Sequence, residues 1–407
     1  MSQPKIITQS DQILAGLRHP NLRQALYDEG AVIMDGTLLT LHGEAHRKRR
    51  LLEFRVFRRD FFHWYEKTVF PATLDATIAA DMALGRTDLV DLGYRVTMNL
   101  TADFAGVDRP EQSAAETAHL LHLVETFSAG ATMVHSTRPK DEVRAEVKAA
   151  IADFVPRFLE PSVARRKDLL AQAEAGRISE EDLPRDVLTV ILQKGDPAEF
   201  TPDLLTREIA FYLQAGAHST ANSTIHAFHD IQTWAGGDHS RWERLQADPL
   251  FFQRCVHESL RLHPASPVAW RRATCPMSLD GAGDLEDGEM VEFRLAEANR
   301  NPDIFGPDAD RFNPLRSVKA PHQIFGHTFG TGTHTCLGRD LDGGVVAKDD
   351  TDPATHQFGT ITLFLRHLFR SGARPDPDDA PRMAEHTARP NWGYYPIVFD
   401  TSKEWTA

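Results

Sequence analysis

Apolar residues return at three- and four-residue intervals through five long windows, 63–85, 91–106, 113–130, 139–175 and 202–235. That period belongs to helices with one buried face, and windows this long leave little chain for a large sheet. Extended signals are short: Val32–Leu41, Ala269–Leu279, Met290–Phe293 and Asn391–Phe399. The expected fold class is a mainly α body with small peripheral β-sheets. No repeat period and no Gly/Ser- or Pro-rich linker divides the chain, so a single domain over 1–407 is expected although length alone allows two or three. Asp196–Pro202 and Asp342–Gly359 read as loops, the second as a surface insertion.

Charge narrows the partners. The chain carries 58 acidic and 45 basic residues, a net charge of −13, so its summed field repels nucleic acid and anionic membranes. The three cysteines, Cys255, Cys275 and Cys336, are too few and scattered for a disulfide framework, and their odd number suits a reducing, cytoplasmic setting. No signal-peptide pattern opens the chain, and no window approaches a membrane span.

The densest constellation is Phe329-Gly330-Thr331-Gly332-Thr333-His334-Thr335-Cys336-Leu337-Gly338. Glycines and small residues allow a tight loop that can lie against a flat ligand. A thiolate on iron needs backbone N–H donors, an aromatic shield and room for a macrocycle, and this segment can supply all three, with Phe329 as the shield. The plainer alternative is that Cys336 is a small buried hydrophobe. Zinc lacks partners, because only His334 lies at short spacing.

Three further segments carry chemistry. Glu258 and Arg261 stand three residues apart in a helical run and can pair on one face. His46 and Arg50 lie one helical turn apart in a basic run, His46-Arg47-Lys48-Arg49-Arg50, within an acidic chain. The 202–235 window contains Gln214-Ala215-Gly216-Ala217-His218-Ser219-Thr220, whose glycine marks close packing or a local kink.

The Cys336 segment resembles the cysteine-ligand loop of the cytochrome P-450 superfamily, Phe-Gly-x-Gly-x-His-x-Cys-x-Gly, at every fixed position. The resemblance implies the cytochrome P-450 fold, haem b as cofactor and Cys336 as axial iron ligand, with Phe329, Gly330, His334 and Gly338 around it. It implies that His46, Arg50, Arg271 and His334 hold the haem propionates. It implies a structural network of Glu258, Arg261 and, from Asp310-Arg311-Phe312-Asn313-Pro314, Arg311. Ala215 and Gly216 would lie over the iron, and His218 and Ser219 stand where the family has an acid and a threonine. Thr220 offers a second hydroxyl, and His218 is the candidate proton carrier. By family register the substrate pocket draws on Met34, Phe211, Gln214, Val268, Ala269 and Trp392.

The implied activity is monooxygenation of an apolar small molecule, in secondary metabolism, with O2 and electrons from a ferredoxin-type donor and its reductase. Arg47, Lys48 and Arg49 would face outward as the donor's docking surface. The altered acid–alcohol pair keeps a peroxide-using enzyme, another haem-thiolate enzyme and a non-catalytic haem or ligand-binding protein open. Two departures from the family stand out: a shortened N-terminal section, with little chain between Leu26 and Leu41, and the Asp342–Gly359 insertion.

Overall fold

The computed structural model describes residues 3–111 and 113–400. Its axis is the 34-residue helix Pro202–Ala235, here the central helix. Thr201 caps its start by accepting a hydrogen bond from Leu204 N, and Pro202 in the first turn loses nothing by lacking an N–H. It packs along Leu89–Ala105. Gly216 lets the two helices approach closely, because a Cβ at that position would collide with Thr101 Cγ2 unless that side chain moved.

The other periodic windows are also helical, over Arg59–Trp64 with Phe70–Leu84, Leu89–Ala105, Ala114–Ala131, and Lys140–Phe154 with Glu160–Glu174. Two of them pass through π-helical segments, Tyr65–Val69 and Val155–Leu159. Each runs into a proline, Pro71 or Pro161, which has no N–H to donate to the carbonyl one turn back.

A four-stranded sheet has the order Lys5–Ile7, Met290–Phe293, Ala269–Ala273, Leu22–Gln24. The first pairing is parallel and the other two antiparallel. The short N-terminal section therefore still supplies two of four strands, together with the helix Ser10–Arg18. A three-stranded sheet joins Arg86–Asp88, Pro396–Phe399 and Ala373–Pro375, and Trp392–Tyr394 pairs with Arg382–Met383.

Three sequence expectations need correction. Val32–Leu41 is not extended: Ala31–Met34 is helical, and the next residues turn where the Thr37 and Thr40 hydroxyls donate to Met34 O. The Asp342–Gly359 segment is a surface loop only in its middle. Its ends are buried, because Gln253 Nε2 donates to the carbonyls of Gly343, Val345 and Phe358, and Glu66 accepts from the amides of Phe358 and Gly359. Arg49 does not face outward: it is 2% exposed and bound to Glu199 and Glu208, leaving Arg47 and Lys48 as the exposed cations of that run.

Candidate active site

The cysteine loop is built by local backbone bonds. Gly330 adopts φ 64°, a left-handed conformation, and its N–H donates to His327 O. Cys336 N–H reaches back to Phe329 O at 2.9 Å, closing the loop. The Phe329 ring meets Phe325 edge-on, with centroids 5.1 Å apart. Gly338 N–H donates to the Cys336 sulfur. Cys336 is open to the cavity, yet enclosure by the surrounding protein, reinforced by the Asp342 carboxylate, pushes its thiol up to about 12, and a cation brought to the sulfur would favour the thiolate.

Behind the loop lies a braced polar network. Arg261 donates to both carboxylate oxygens of Glu258, at 2.8 and 2.7 Å, and both side chains are fully buried. Asn299 accepts from His327 N–H at 2.7 Å and donates to Arg261 O at 2.9 Å, tying this pair to the loop. Arg316 completes the network, with Nε 3.2 Å from Glu258 Oε1 and Nη1 2.8 Å from Asp308 Oδ1. This corrects the assignment of Arg311, whose side chain is exposed and which contributes only its carbonyl, accepting from Arg261 and Arg316. An Asn313–Asp308 hydrogen bond folds the segment so that the arginine after Pro314-Leu315 returns to the carboxylate. The arginine after a Pro-containing turn was the available signal.

The loop opens onto a cavity of about 340 Å³. A more open depression of about 540 Å³ beside Asp303, Asp308 and Lys319 contains none of the cysteine-loop residues. Cys336, Phe329, Gly330, His334 and Gly338 line the first cavity, as do His46, Arg50 and Arg271. The His46 and His334 rings lie 4.3 Å apart, and Arg50 Nη2 donates to Thr335 O at 2.6 Å. Arg271 donates to Gln24 Oε1 and Trp270 O.

No described carboxylate joins this cluster. Burial pushes His46 down to about 4, His334 to about 2 and Arg271 to about 10. His46 Nε2 is buried without any partner. Such a group is arranged for an anionic ligand. The donor set fits haem b: a single cysteine faces the cavity, and cationic and imidazole donors, one of them orphaned, are placed for two carboxylates. Among the described residues, no group of three or more His, Cys, Asp or Glu side chains is placed to hold a bare metal ion.

Across the cavity the central helix contributes Phe211, Gln214, Ala215, Gly216, His218, Ser219 and Thr220. Ser219 Oγ donates back to Ala215 O at 2.6 Å, and Thr220 Oγ1 donates to Asp342 Oδ1 at 3.1 Å. Burial raises Asp342 to about 7. His218 lies between Tyr94 Oη, 2.7 Å from its Nδ1, and Arg389 Nη2, 2.5 Å from its Nε2. A guanidinium can only donate, so Nε2 is the acceptor, and the neutral ring carries its proton on Nδ1, toward Tyr94. Burial and the Arg389 charge hold His218 well below its ordinary pKa. Neither ring nitrogen is left free for the proton-carrying role read from the sequence.

Of the pocket residues drawn from family register, Phe211, Gln214 and Ala269 line the cavity; Met34, Val268 and Trp392 do not. Met34 is fully buried with its sulfur against Gln214, and Trp392 packs on His229 and Tyr395 outside the chamber. Sequence reasoning missed Gln24, Tyr27, Thr132, His135, Asp342 and Arg389, all of which line it. Nothing in local spacing marks Arg389, which meets His218 across 171 residues of chain.

The cytochrome P450 family model matches residues 228–341. Among curated proteins, the cytochrome P450 family protein EryCII of Saccharopolyspora erythraea is 39% identical over 108 residues, 24% of this chain and 28% of that protein. Cytochrome P450 119 of Sulfolobus acidocaldarius is 30% identical over 133 residues, 33% of each chain. The chain spans only 17% to 28% of the length of the first curated relatives it matches. Solved structures share the fold over nearly the whole chain. The Tepidiphilus thermophilus P450 heme domain superposes with a TM-score of 0.73 at 18% identity, covering 98% of this chain and 89% of that one. CalO2 gives 0.72 at 19%, covering 97% and 90%. HmtN, a post-tailoring hydroxylase of himastatin biosynthesis, gives 0.67 at 16%, covering 97% and 90%.

Proposed function

We propose that this chain, whose residues 228–341 match the cytochrome P450 family model and which shares the fold of solved P450 structures, is a haem-thiolate monooxygenase that inserts one oxygen atom of O2 into a small organic molecule. The observation that carries the reading is the pairing, in one cavity, of an inward-facing Cys336 with His46, Arg50, Arg271 and His334, which have no carboxylate of their own. Bound haem supplies the oxygen chemistry, since a thiolate ligand pushes electron density toward the iron and favours O–O cleavage.

The chain's residues hold and shield that centre. Cys336 Sγ would hold the iron, with Gly338 N–H donating to the same sulfur and Phe329 covering it. His46, Arg50, Arg271 and His334 would hold the two propionates. Ser219 Oγ, now donating to Ala215 O, needs only a χ1 rotation to donate into the chamber instead. The second oxygen atom leaves as water and consumes two electrons and two protons, so an electron-donor protein is required. A ferredoxin-type donor is proposed, meeting the helix Gly43–Glu53 where Arg47 and Lys48 stay exposed. The substrate is proposed to be a small molecule of secondary metabolism, a reading supported by the likeness in fold to HmtN, a post-tailoring hydroxylase of himastatin biosynthesis.

One observation favours a second reading. Among the described residues Ser219 has no carboxylate hydrogen-bond partner, and both nitrogens of His218 are engaged. Hydrogen peroxide brings its own electrons and protons, so a peroxide-driven reaction would ask less of these residues. The reduced, carbon-monoxide-bound spectrum of the haem-loaded protein should show the red-shifted Soret band of a thiolate ligand and lose it in Cys336→Ser. A wild-type spectrum without that band overturns the proposal. Product formed with O2, ferredoxin and reductase, against product formed with peroxide alone, decides between the two reactions.

A further inference from the structure

Among the described residues six arginines are buried to more than nine-tenths: Arg49, Arg166, Arg261, Arg271, Arg316 and Arg389. Four of them lie away from the cavity, and each is paired with carboxylates: Arg49 with Glu199 and Glu208, Arg166 with Asp108 and Asp186, Arg261 with Glu258, and Arg316 with Glu258 and Asp308. The two that line the cavity, Arg271 and Arg389, have no carboxylate partner among the described residues. This fold neutralises its buried guanidinium groups except where they face the chamber.

Arg271 belongs with the donors assigned to the haem carboxylates, but Arg389 does not. The groups acting on His334 are Arg271, His46, Arg50 and His42; those acting on His218 are Arg389 and His135. Tyr27 feels both Arg271 and Arg389, so the two groups are neighbours, but their hydrogen-bond partners differ throughout: Gln24 and Trp270 for Arg271, and Ala265, Thr132 and His218 for Arg389. None of the Arg389 partners is among the residues assigned to the haem carboxylates.

The Arg389 site is built and held in place. Arg389 is 8% exposed and donates to Ala265 O and Thr132 Oγ1, each at 3.2 Å, and to His218 Nε2 at 2.5 Å. All three acceptors are neutral. A guanidinium has five N–H donors. Nε is one of those left over and has no partner. Thr132 Oγ1 gives its own proton to Ser128 O, which keeps its lone pairs turned to Arg389. The backbone is pinned too: Ala388 N–H donates to His135 O, and Thr387 bridges to Ser136.

We infer that Arg389 is the recognition point for a carboxylate carried by the substrate, with the substrate's apolar part lying against Leu38, Leu39, Leu100 and Phe211. This deepens the proposed function and rests on its reading of the cavity as the substrate chamber. One guanidinium flanked by neutral imidazoles matches a single negative charge better than a phosphate dianion. Burying that carboxylate would cost little extra, since the cation it neutralises is already desolvated and placed.

The test compares dodecanoic and naphthaleneacetic acids with their methyl esters, on the haem-loaded full chain, by calorimetry and by Soret shift. At least one acid should bind about tenfold or more tightly than its ester, the scale of one charge-assisted hydrogen-bonded pair. Arg389→Gln should bring that preference below about twofold with ester affinity kept, and Arg389→Lys should retain part of it. Equal binding of acid and ester by the wild type, or binding of neither acid at millimolar concentration, overturns the inference. So does an equal loss for acid and ester in Arg389→Gln, which would make Arg389 a brace. If Arg389→Gln does not fold, the wild-type comparison and Arg389→Lys still decide. The carbon-monoxide spectrum tests the haem-thiolate reading separately, so either conclusion can fail without the other.

Discussion

Behind the cysteine loop, Arg261 and Arg316 are buried against the Glu258 carboxylate; beside the central helix, Arg389 is buried against a neutral histidine, a threonine hydroxyl and a carbonyl. The first site is electrically complete and lies outside the chamber. The second is incomplete and lines it. A buried charge with its counter-charge is part of the scaffold, whereas a buried charge without one is a place where something else completes it. Arg49 shows the opposite imbalance: two fully buried carboxylates, Glu53 and Glu208, crowd one guanidinium, so one of them keeps a proton. The charge state of each site follows from how many carboxylates the fold brings to it.

The largest effect is expected where the comparison is most one-sided. Glu258→Gln leaves the buried Arg261 without its anion and Arg316 with Asp308 alone, and should cost about 3–5 kcal/mol, read as a lowered denaturation midpoint of the haem-loaded protein. Arg316→Met should cost nearly as much, while Arg311→Met should change stability by no more than about 0.5 kcal/mol. The reverse ranking would restore Arg311 as the third member.

A smaller and pH-dependent effect belongs to Glu208, which burial pushes up from an ordinary value near 4.5 to about 7. Between those values the native state holds a proton that the unfolded chain has released, so stability falls as pH rises through this window. Glu208→Gln should remove about 1–3 kcal/mol of that fall, measured by denaturation at about pH 5 and about pH 7. An unchanged slope would mean that the shared proton sits elsewhere. A smaller effect than that of Glu208 should come from Arg389→Met, which trades an uncompensated charge for three lost hydrogen bonds and should leave stability within about 1 kcal/mol. A loss above about 3 kcal/mol would make Arg389 scaffold and erase the distinction.

Parts of the molecule governed by neighbours in sequence were legible. The helix predicted over 202–235 is Pro202–Ala235, because its period, its Thr cap and its early proline all lie within the segment. Met290–Phe293 is a strand over the same bounds. The cysteine loop closes through Phe329 and Cys336, seven residues apart, and Glu258 meets Arg261 across one helical turn. Val32–Leu41 looked extended by composition, but two threonine hydroxyls and a distant glutamate, Glu208, took its polar groups into turns.

The sequence by itself determined the elements and the motifs whose members lie within a few turns of one another: the helical body, the cysteine loop, the His46/Arg50 and Glu258/Arg261 pairs. Short-range sterics and hydrogen bonding set these, and they leave a period or a spacing to read. Only the tertiary structure decided which arginine answers Glu258, which way the proton sits on His218, and that Arg389 enters the chamber alone. Those outcomes depend on desolvation and on charges brought together from Asp308, Tyr94 and the C-terminal hairpin. Burial and counter-charge are properties of a place in the fold and leave no local pattern in the chain.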